Sequence, residues 1–548
     1  MAAGDHDCLM RSWSARLAGG LSLLVALALL APDLVPGESS AVGRALGGDP
    51  HTLDRLSLAV TLLLLAYGLA GRRRLAQQVA LAVVAIAALV PPYRPGRLLV
   101  LGVLAIVLWP YRGSYLVRPD PQRLRSACLA AAVAVALVLG RGVWMASWHS
   151  EPVGKAAQAA LPLLPEVPDR STSAFVLLVF AAMLVALYLA MAPAPAPPPA
   201  GEAERARVRA LVQDPGSGSL APFATRADKA YVFSADGDAA IGYRVRFGVA
   251  LAGGDPVGVA GAQAAAVLAF AELCTRRGWR PAVLGAAAAT GETWRRAGVR
   301  RAVEIGDEAV LDVTTFSLAT RRMRNLRQAV RRADNAGVRV TIGPLDPPLV
   351  PRLAPILRDW LKGRDERGFA MNLDAILVPR DDVLVAVAYD AAGEPQAFAR
   401  FAEVAGGRIL SLDVAPRRRD APNGVVERLI AEMVDYGRAR GAREVSLNFA
   451  GMRRVYAGHT RAARLTAVPL RALDRWIELR TLYRFTDKFD PLWRPRQLRM
   501  RSWLELIPVG AAALTSEFGA RPSAYPAVPS SAFPARRPAG AADHSAPF

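Results

Sequence analysis

The chain has 548 residues, 53% of them hydrophobic, and its mean hydropathy is +0.22. This length indicates more than one domain, and this hydropathy argues against a protein that is soluble throughout. Lysine and arginine number 68 against 47 aspartates and glutamates, which gives a formal net charge of +21. Such an excess of positive charge favours an anionic partner, either nucleic acid or an acidic lipid surface.

The cysteines and histidines do not form a pattern that binds metal. Cys8, Cys128 and Cys274 are far apart, and the five histidines do not cluster with them. This spacing supports neither a disulfide framework nor a metal site. We therefore expect no metal site.

The first 192 residues contain apolar runs of the length that crosses a bilayer, for which about 20 residues are needed. Six spans are predicted, at residues 17–35, 53–70, 75–90, 97–109, 124–143 and 173–192. Arginines are concentrated on one side of these spans, for example at residues 72–74 and 205–209. Because positive residues favour the cytoplasmic side of a membrane, the N-terminus and the large C-terminal part are both predicted inside the cell.

After the predicted spans, the chain alternates strands and helices. Residues 193–222 are predicted as a proline-rich linker with a short charged helix near the membrane surface. Residues 223–345 and 346–510 then show a similar order of elements, which suggests a duplicated α/β fold. Residues 511–548 are rich in alanine, proline, serine and glycine without periodicity, and we expect them to be disordered.

Residues 408–449 are the most informative stretch, because they are typical of a strand, a turn, a helix and a second strand. Asp413 stands near the end of the first strand, and Asn423 and Gly424 belong to the turn before the helix. Backbone N–H groups at such a helix start hold anions or polarised carbonyl groups. The pattern therefore indicates a candidate site, and an ordinary β-α-β core with solvated arginines is the alternative.

Short motifs along residues 223–501 agree in order and spacing with one known family. They are FSADG at 233–237, GYR at 242–244, GDPVG at 254–258, FSL at 316–318, RNLR at 324–327, SLD at 411–413, APNG at 421–424, LYRF at 482–485, KF at 488–489 and WRPR at 493–496. The chain resembles the C-terminal domain of the phosphatidylglycerol lysyltransferases, also called multiple peptide resistance factors or aminoacyl-phosphatidylglycerol synthases. The run at 446–450 is similar to the actinobacterial branch.

This resemblance implies a tandem pair of acetyltransferase-like (GNAT-type) folds attached to membrane helices. It also implies an enzyme of the plasma membrane, multi-pass, that transfers an aminoacyl group, lysyl or similar, from aminoacyl-tRNA to phosphatidylglycerol or a related anionic lipid. An aminoacyl ester is already activated, so the enzyme needs to orient the lipid hydroxyl, assist its deprotonation and stabilise the oxyanion. The implied partners are thus aminoacyl-tRNA, phosphatidylglycerol and the membrane, without a cofactor.

Two residues are predicted to take part in catalysis. Asp413 either orients or deprotonates the attacking hydroxyl or binds the aminoacyl ammonium group, and a structural cap is the alternative. Lys488, together with Arg484 as a substrate-binding residue, is a candidate for contacting the terminal phosphate region or the oxyanion. Lys488 and Arg484 are equally compatible with a part in structural ion pairs.

The remaining predicted site residues bind substrate. Arg321, Arg324 and Arg327 share one helix and are expected to contact phosphates of tRNA or lipid, as basic side chains do without reading sequence, or else to form a solvated face. Asp255 lies in a Gly-Asp-Pro turn, whose shape such a side chain stabilises. The substrate-binding set is completed by Asn423, Gly424 and Asn448.

Two departures from the family pattern leave other functions open. Members usually carry an arginine three residues after the strand-end aspartate, where this chain has Pro416, and a lysine where it has Thr486. Proline cannot supply a guanidinium group, so a neighbouring arginine must replace it. The alternatives are an acyl-CoA-dependent N-acyltransferase and a catalytically degenerate GNAT-like membrane protein that binds lipid or a partner.

Overall fold

The structure is a computed structural model, and it describes residues 19–22, 24, 52–89, 117, 119–149, 170–362, 368, 372–451 and 479–518. By its contacts the chain divides into two compact units. One comprises Met1–Pro197, Val245–Ala250 and Leu268–Pro281, and the other comprises the rest.

Before residue 192, the long described helices are α1 (Thr52–Ala70), α2 (Arg74–Leu89), α3 (Pro121–His149) and α4 (Arg170–Met191). They coincide with four of the six predicted spans. Within the described ranges, only Pro121–Arg141 of α3 is long and apolar enough to cross a membrane, and Val60–Ala70 and Leu178–Met191 are apolar but shorter. The predicted span at 97–109 and nearly all of that at 17–35 lie outside the described residues, so the number of six remains a prediction.

The strands form one large mixed sheet. They are β1 (Ala230–Phe233), β2 (Ala239–Arg246), β3 (Val249–Gly253), β4 (Val257–Gly258), β5 (Arg280–Ala287), β6 (Arg301–Asp312), β7 (Arg339–Pro344), β8 (Val383–Tyr389), β9 (Pro395–Val404), β10 (Ile409–Val414), β11 (Glu444–Gly451) and β12 (Leu492–Met500). Their order is β1-β2-β3-β5-β12-β6-β11-β10-β9-β8-β7, and β4 pairs with β2.

The helices that follow the first four connect or cover these strands. They are α5 (Glu202–Val212), α6 (Ala260–Arg277), α7 (Gly291–Arg296), α8 (Arg324–Asn335), α9 (Val350–Leu361), α10 (Val425–Ala439), α11 (Leu479–Asp487) and α12 (Leu506–Phe518). The sequence prediction of α/β structure after residue 222 is thus confirmed.

The strand-turn-helix-strand predicted at residues 408–449 is confirmed as β10, α10 and β11. The two strands run parallel, and α10 packs on the sheet through Leu429, Ile430, Met433 and Val434, all of which are buried. Each such side chain contributes roughly 1.5–3 kcal/mol relative to its exposed state. This packing holds the carboxyl ends of β10 and β11 side by side.

The two halves of the large sheet exchange their central strands. β6 precedes the second half in sequence, yet it pairs with β11 of that half, whereas β12 from the end of the chain pairs with β5 of the first half. β6 and β12 also pair with each other, antiparallel, along nearly their whole length. The segments predicted as separate domains, 223–345 and 346–510, therefore share one continuous sheet.

The expected disorder from residue 511 is wrong for residues 511–518, which belong to α12. Val509, Ala512, Ala513 and Ser516 are buried along one face of this helix at spacings of three and four residues. Most of these side chains are small, so they gave little contrast in hydrophobicity in the sequence. The predicted tail from 519 to 548 lies outside the described residues.

Candidate active site

The pairing of β10 with β11 ends where both strands become irregular. The parallel register stops after Ser411 and Ser446, and β11 has a bulge before Phe449. Asn448 lies in this bulge with a φ of +69°, and its side-chain Nδ2 donates to the Leu412 carbonyl at 3.2 Å. Ligands of open α/β sheets bind outside the carboxyl ends of such strands. This place is the first part of the candidate site.

Asp413 lies next to this point, but its carboxylate is enclosed. One oxygen accepts a hydrogen bond from the Leu373 N–H at 2.7 Å, and the other pairs with Nη1 of Arg400 at 3.3 Å. The side chains of Asp413 and Arg400 are 0% and 1% exposed. Burial raises the pKa of Asp413, and the charge of Arg400 opposes that rise. This geometry gives Asp413 a structural part, and its role in catalysis stays a prediction.

Behind Asp413 lie further buried cations. Nη1 of Arg226 donates to the Asn372 carbonyl at 2.6 Å, and Nη1 of Arg400 donates to the Asp374 carbonyl at 3.1 Å. Burial lowers the pKa of Lys229 to about 7, against the raising effect of the neighbouring Asp228. Nη2 of Arg400 is buried and has no hydrogen-bond partner among the residues that the structure describes. The interior beside Asp413 therefore holds several cations, and one of them, Arg226, pairs with Asp228 at 3.3 Å.

A buried ion network joins the two halves of the sheet. Glu308 on β6 is 0% exposed and forms a two-nitrogen ion pair with Arg496 on β12. Arg496 also donates to Asp255 at 3.0 Å, and the two negative partners outweigh burial and raise the pKa of Arg496. Glu308 accepts hydrogen bonds from the hydroxyls of Ser219 at 2.5 Å and Ser446 at 2.6 Å. Its charge is thus compensated on both carboxylate oxygens.

This network connects two of the predicted site residues. Asp255 accepts hydrogen bonds from Ala287 N–H and Thr290 Oγ1, so its side chain ties the Gly-Asp-Pro turn to the end of β5, and its predicted part in shaping that turn locally stays a prediction. At the other end, the hydroxyl of Ser446 accepts from the Asn448 N–H at 3.2 Å. Asp255 and Asn448 therefore belong to one continuous set of hydrogen bonds.

The start of α10 forms the second part of the candidate site. Gly424 precedes the helix with a φ of +95°, and a Cβ there would overlap the carbonyl oxygen of Ala329 on α8. Lys488 pairs with Glu427 in the first turn of α10 at 2.9 Å, and its side chain is 43% exposed. Asn423 is exposed beside them. Gly424 and Lys488 are thus brought together, and Lys488 is accessible to a ligand.

The predicted phosphate-binding arginines have different environments. Arg327 donates to the carbonyls of Leu318 and Thr320 and so closes the turn before α8. Arg324 is the first residue of α8 and is exposed, whereas Arg321 is exposed in the turn before the helix and so does not share it as predicted. Arg484 is exposed on α11. Of the four predicted arginines, these last three are accessible to phosphate groups, and their binding of phosphate stays a prediction.

The two departures from the family pattern have defined surroundings. The carbonyl of Pro416 accepts from Phe398 N–H at 3.0 Å, and Nε of Arg418 donates to the Pro395 carbonyl at 2.9 Å. Arg418 is thus committed to the neighbouring strand, whereas Arg417 and Arg419 are exposed and free of that contact. Thr486 is buried in α11.

Sequence reasoning missed Glu308 and Arg496 as the centre of the polar network. The signals present were a glutamate directly before the apolar run Ala309–Leu311 and the position of Arg496 in the motif at 493–496. The two residues are 188 positions apart, so their pairing was not visible without the fold. Within the described residues, no group of three histidine, cysteine, aspartate or glutamate side chains is placed to hold a metal ion.

The comparisons with known proteins agree with this architecture. The chain is 38% identical over 322 residues to the MprF-like domain protein Rv1619 of Mycobacterium tuberculosis, covering 57% of this chain and 66% of that protein. It is 38% identical over 325 residues to the lysylphosphatidylglycerol biosynthesis bifunctional protein LysX of Mycobacterium leprae, covering 57% of this chain but 28% of LysX. The chain thus spans less than two thirds of the length of either relative.

A solved structure shows that the fold is shared. L-PGS from Bacillus licheniformis superimposes with a TM-score of 0.50 over 57% of this chain and 95% of that chain, at 21% sequence identity. The model of the phosphatidylglycerol lysyltransferase C-terminal family matches residues 209–499, which is more than half of the chain. The resemblance found in the motifs is confirmed, and the protein belongs to the phosphatidylglycerol lysyltransferase C-terminal family.

Proposed function

We propose that the protein is a membrane-bound aminoacyltransferase that moves an aminoacyl group, lysyl or similar, from aminoacyl-tRNA to phosphatidylglycerol or a related anionic lipid. The observation that carries this proposal is the family match over residues 209–499, which contains every residue of the candidate site. The relative LysX is named as a lysylphosphatidylglycerol biosynthesis protein. The net charge of +21 suits both an RNA donor and an anionic lipid.

The sheet is proposed to consist of two acetyltransferase-like halves. The order strand, helix, strand occurs as β3, α6, β5 and again as β10, α10, β11, and in each case the two strands are neighbours in the sheet. The second of these halves holds Asp413, Asn448 and Lys488. We assign the transfer reaction to that half.

The reaction needs no covalent enzyme intermediate. The lipid hydroxyl oxygen attacks the ester carbonyl, the bond to the ribose oxygen of tRNA breaks, and the proton of the lipid hydroxyl passes to that ribose oxygen. Lys488 is the accessible cation next to a helix start, where developing negative charge is stabilised. Exposed arginines such as Arg324 and Arg484 are assigned to phosphate groups. The buried ion pair of Asp413 and Arg400 supports the end of β10 next to the site.

An acyl-CoA-dependent transferase is less well supported. Its cofactor would place a pyrophosphate on the N–H groups of the turn before α10. Helix α8 packs directly on that turn, and the carbonyl oxygen of its residue Ala329 occupies the space beside Gly424. The catalytically degenerate alternative rests on Pro416, and Arg417 and Arg419 remain available to replace the missing guanidinium group.

The location follows from the same proposal. We place the protein in the plasma membrane with several spans and with the large sheet in the cytoplasm, where charged tRNA is found. The described part of the chain contains one helix that fits a span, within Pro121–Arg141. Protease protection of residues after 200 in intact spheroplasts, lost on lysis, is the expected result.

The activity is tested by expressing the full chain in bacteria that make phosphatidylglycerol but no aminoacylated lipid. Membranes receive labelled lysine, alanine or arginine with tRNA and the matching synthetase, and lipids are then extracted. A new labelled lipid that disappears after ribonuclease treatment supports the proposal. Lipid without label for every amino acid would contradict it, and saturable binding of acetyl-CoA in calorimetry would favour the acyltransferase instead. Membranes from the same bacteria without the expressed chain are the control.

A further inference from the structure

The short 3₁₀ helix Trp503–Glu505 and the first two residues of α12 together expose a group of large apolar side chains. Leu504 is 94% exposed and Ile507 is 84% exposed, and Trp503 and Leu506 are 53% and 42% exposed. These four side chains lie within residues 503–507, which we call the 503–507 turn. Single apolar residues at a surface are common, but a contiguous group marks a contact with a partner or a membrane.

The 503–507 turn is held in this position by its surroundings. Glu505, at its centre, is buried and accepts hydrogen bonds from the side chain of Arg501 at 2.8 and 3.1 Å and from its N–H at 3.2 Å. Val509 and Ala512 of α12 are buried just beyond it. The apolar side chains therefore project from an anchored base, and their exposure does not result from a frayed end.

Arginines border the turn on two sides. The guanidinium group of Arg301 lies 6.0 Å from the centre of the Trp503 ring, in a cation–π arrangement. Arg301 is exposed and is paired in register with Met500, which shortly precedes the turn. Arg501, which lies between Met500 and the 503–507 turn, is partly exposed.

Helix α7 adds positive charge to the same border. Nη1 of Arg499 donates to the carbonyl of Gly291 at 3.1 Å, which places the start of α7 against the end of β12. Burial, and then the nearby charge of Arg295, lower the pKa of Arg499. Arg295 and Arg296 are exposed and share the single carboxylate of Glu292. Positive charge therefore exceeds negative charge around the turn among the described residues.

We propose that the 503–507 turn inserts into the interfacial layer of a membrane that contains anionic lipid, as a contact separate from the predicted spans. Tryptophan is favoured at the level of the lipid headgroups, and leucine and isoleucine enter the adjacent acyl region. The bordering arginines meet lipid phosphates at the same depth. An RNA surface would match the arginines but offers nothing that buries three exposed aliphatic side chains.

The test measures the depth of the turn with the full chain in vesicles. Cys8 and Cys128 are replaced by serine and Cys274 by alanine, and Leu504→Cys carries an environment-sensitive fluorophore. Leu492→Cys is the matched control: it is an exposed leucine at the opposite end of β12, a strand about 26 Å long at ~3.3 Å per residue. In vesicles of phosphatidylcholine and phosphatidylglycerol, we expect a blue-shifted emission and several-fold stronger quenching by acyl-chain nitroxide lipid at 504 than at 492.

The arginines are tested by the lipid composition. We expect the quenching at 504 to fall by more than half in phosphatidylcholine alone, and the variant Arg295→Gln with Arg301→Gln to remove that difference between the two kinds of vesicle. Emission at 504 that stays water-like in both kinds of vesicle would overturn the proposal. A signal at 504 that changes only when tRNA or a soluble protein is added would overturn it as well, in favour of that partner. Neither result depends on lipid aminoacylation.

Discussion

The carboxylate of Asp413 has both oxygens engaged inside the protein. It ties strand β10 to Leu373 on one side and to Arg400 on the other. A residue that acts only on a lipid hydroxyl can be changed to asparagine without loss of stability. A residue that neutralises a buried arginine cannot, because Arg400 forms no other ion pair among the residues that the structure describes.

We therefore expect Asp413→Asn to lower the free energy of unfolding by about 3 kcal/mol. Denaturant unfolding of the full chain in detergent measures this change. The double variant Arg400→Met with Asp413→Asn should lose less stability than the sum of the two single variants, because the two residues interact directly. A protein with unchanged stability and abolished transfer would instead show that Asp413 acts on the substrate.

Lys229 provides a prediction about pH. Its folded pKa of about 7 lies below the ordinary value of 10.5, because burial disfavours the ammonium group. Between these values the unfolded chain binds more protons than the folded chain, so this residue makes stability rise with pH in that interval. Below pH 7 the unfavourable burial of the charge is present in full.

The variant Lys229→Met removes this contribution. The melting temperature of the variant should exceed that of the original chain by the largest amount at pH 6. This excess should shrink as the pH rises from 7 toward 10.5. Comparing the two proteins at each pH cancels the titration of all other groups. A difference in melting temperature between the two proteins that does not vary with pH would mean that burial does not lower the pKa of Lys229.

The candidate site was predictable from sequence in part. Asp413, Gly424 and Lys488 were predicted because they stand at the ends of recognisable strands and helices or in family motifs, and their roles stay predictions. Arg400 and Glu308 were not, because their importance depends on partners distant in the chain. Burial also decides which charge faces a ligand, and the alternation of residues along β10 did not reveal that Asp413 is enclosed.

At the scale of elements, the contact of α8 with the start of α10 is a close backbone approach within the candidate site. Gly424 permits it in two ways, since it has a positive φ and no Cβ. The sequence predicted both helices and the turn. It could not predict that they touch, because helix packing depends on side chains from both partners.

The variant Gly424→Ala should therefore be more harmful than an ordinary glycine substitution. Gly441, after α10, has a φ of +79°, and a Cβ added there would meet no described atom within 4 Å, so Gly441→Ala is the matched control. The control should lose about 1 kcal/mol from its positive φ alone. Gly424→Ala should lose at least about 1 kcal/mol more, from the clash with Ala329. Equal losses in denaturant unfolding would contradict the described packing.

At the scale of the molecule, the exchange of β6 and β12 makes the two halves of the large sheet depend on each other. Separating the chain after residue 345 leaves β6 without both of its neighbours, β11 and β12. The similar order of elements in residues 223–345 and 346–510 was visible in the sequence. The exchange was not, because a strand carries no mark of which neighbour it joins.

We expect that residues 1–345 and 346–548, produced separately, each aggregate or fail to accumulate. Produced together in one cell, they should copurify and elute together in size-exclusion chromatography in detergent. The physical reason is that each fragment alone exposes long unpaired strand edges. Two separately stable fragments with native-like circular dichroism would contradict the interdependence.

The place of β12 in the sheet also sets an order of events during synthesis. β5 is complete at residue 287, but the strand that covers its edge begins at residue 492. At typical rates of about 5–20 residues per second, the ribosome takes roughly 10–40 s to make the intervening chain. During that time the edge of β5 is open to other nascent chains. Slower translation of this gene, or the loss of chaperones that bind nascent chains, should therefore affect the yield of this protein more than that of one whose strands pair in sequence order.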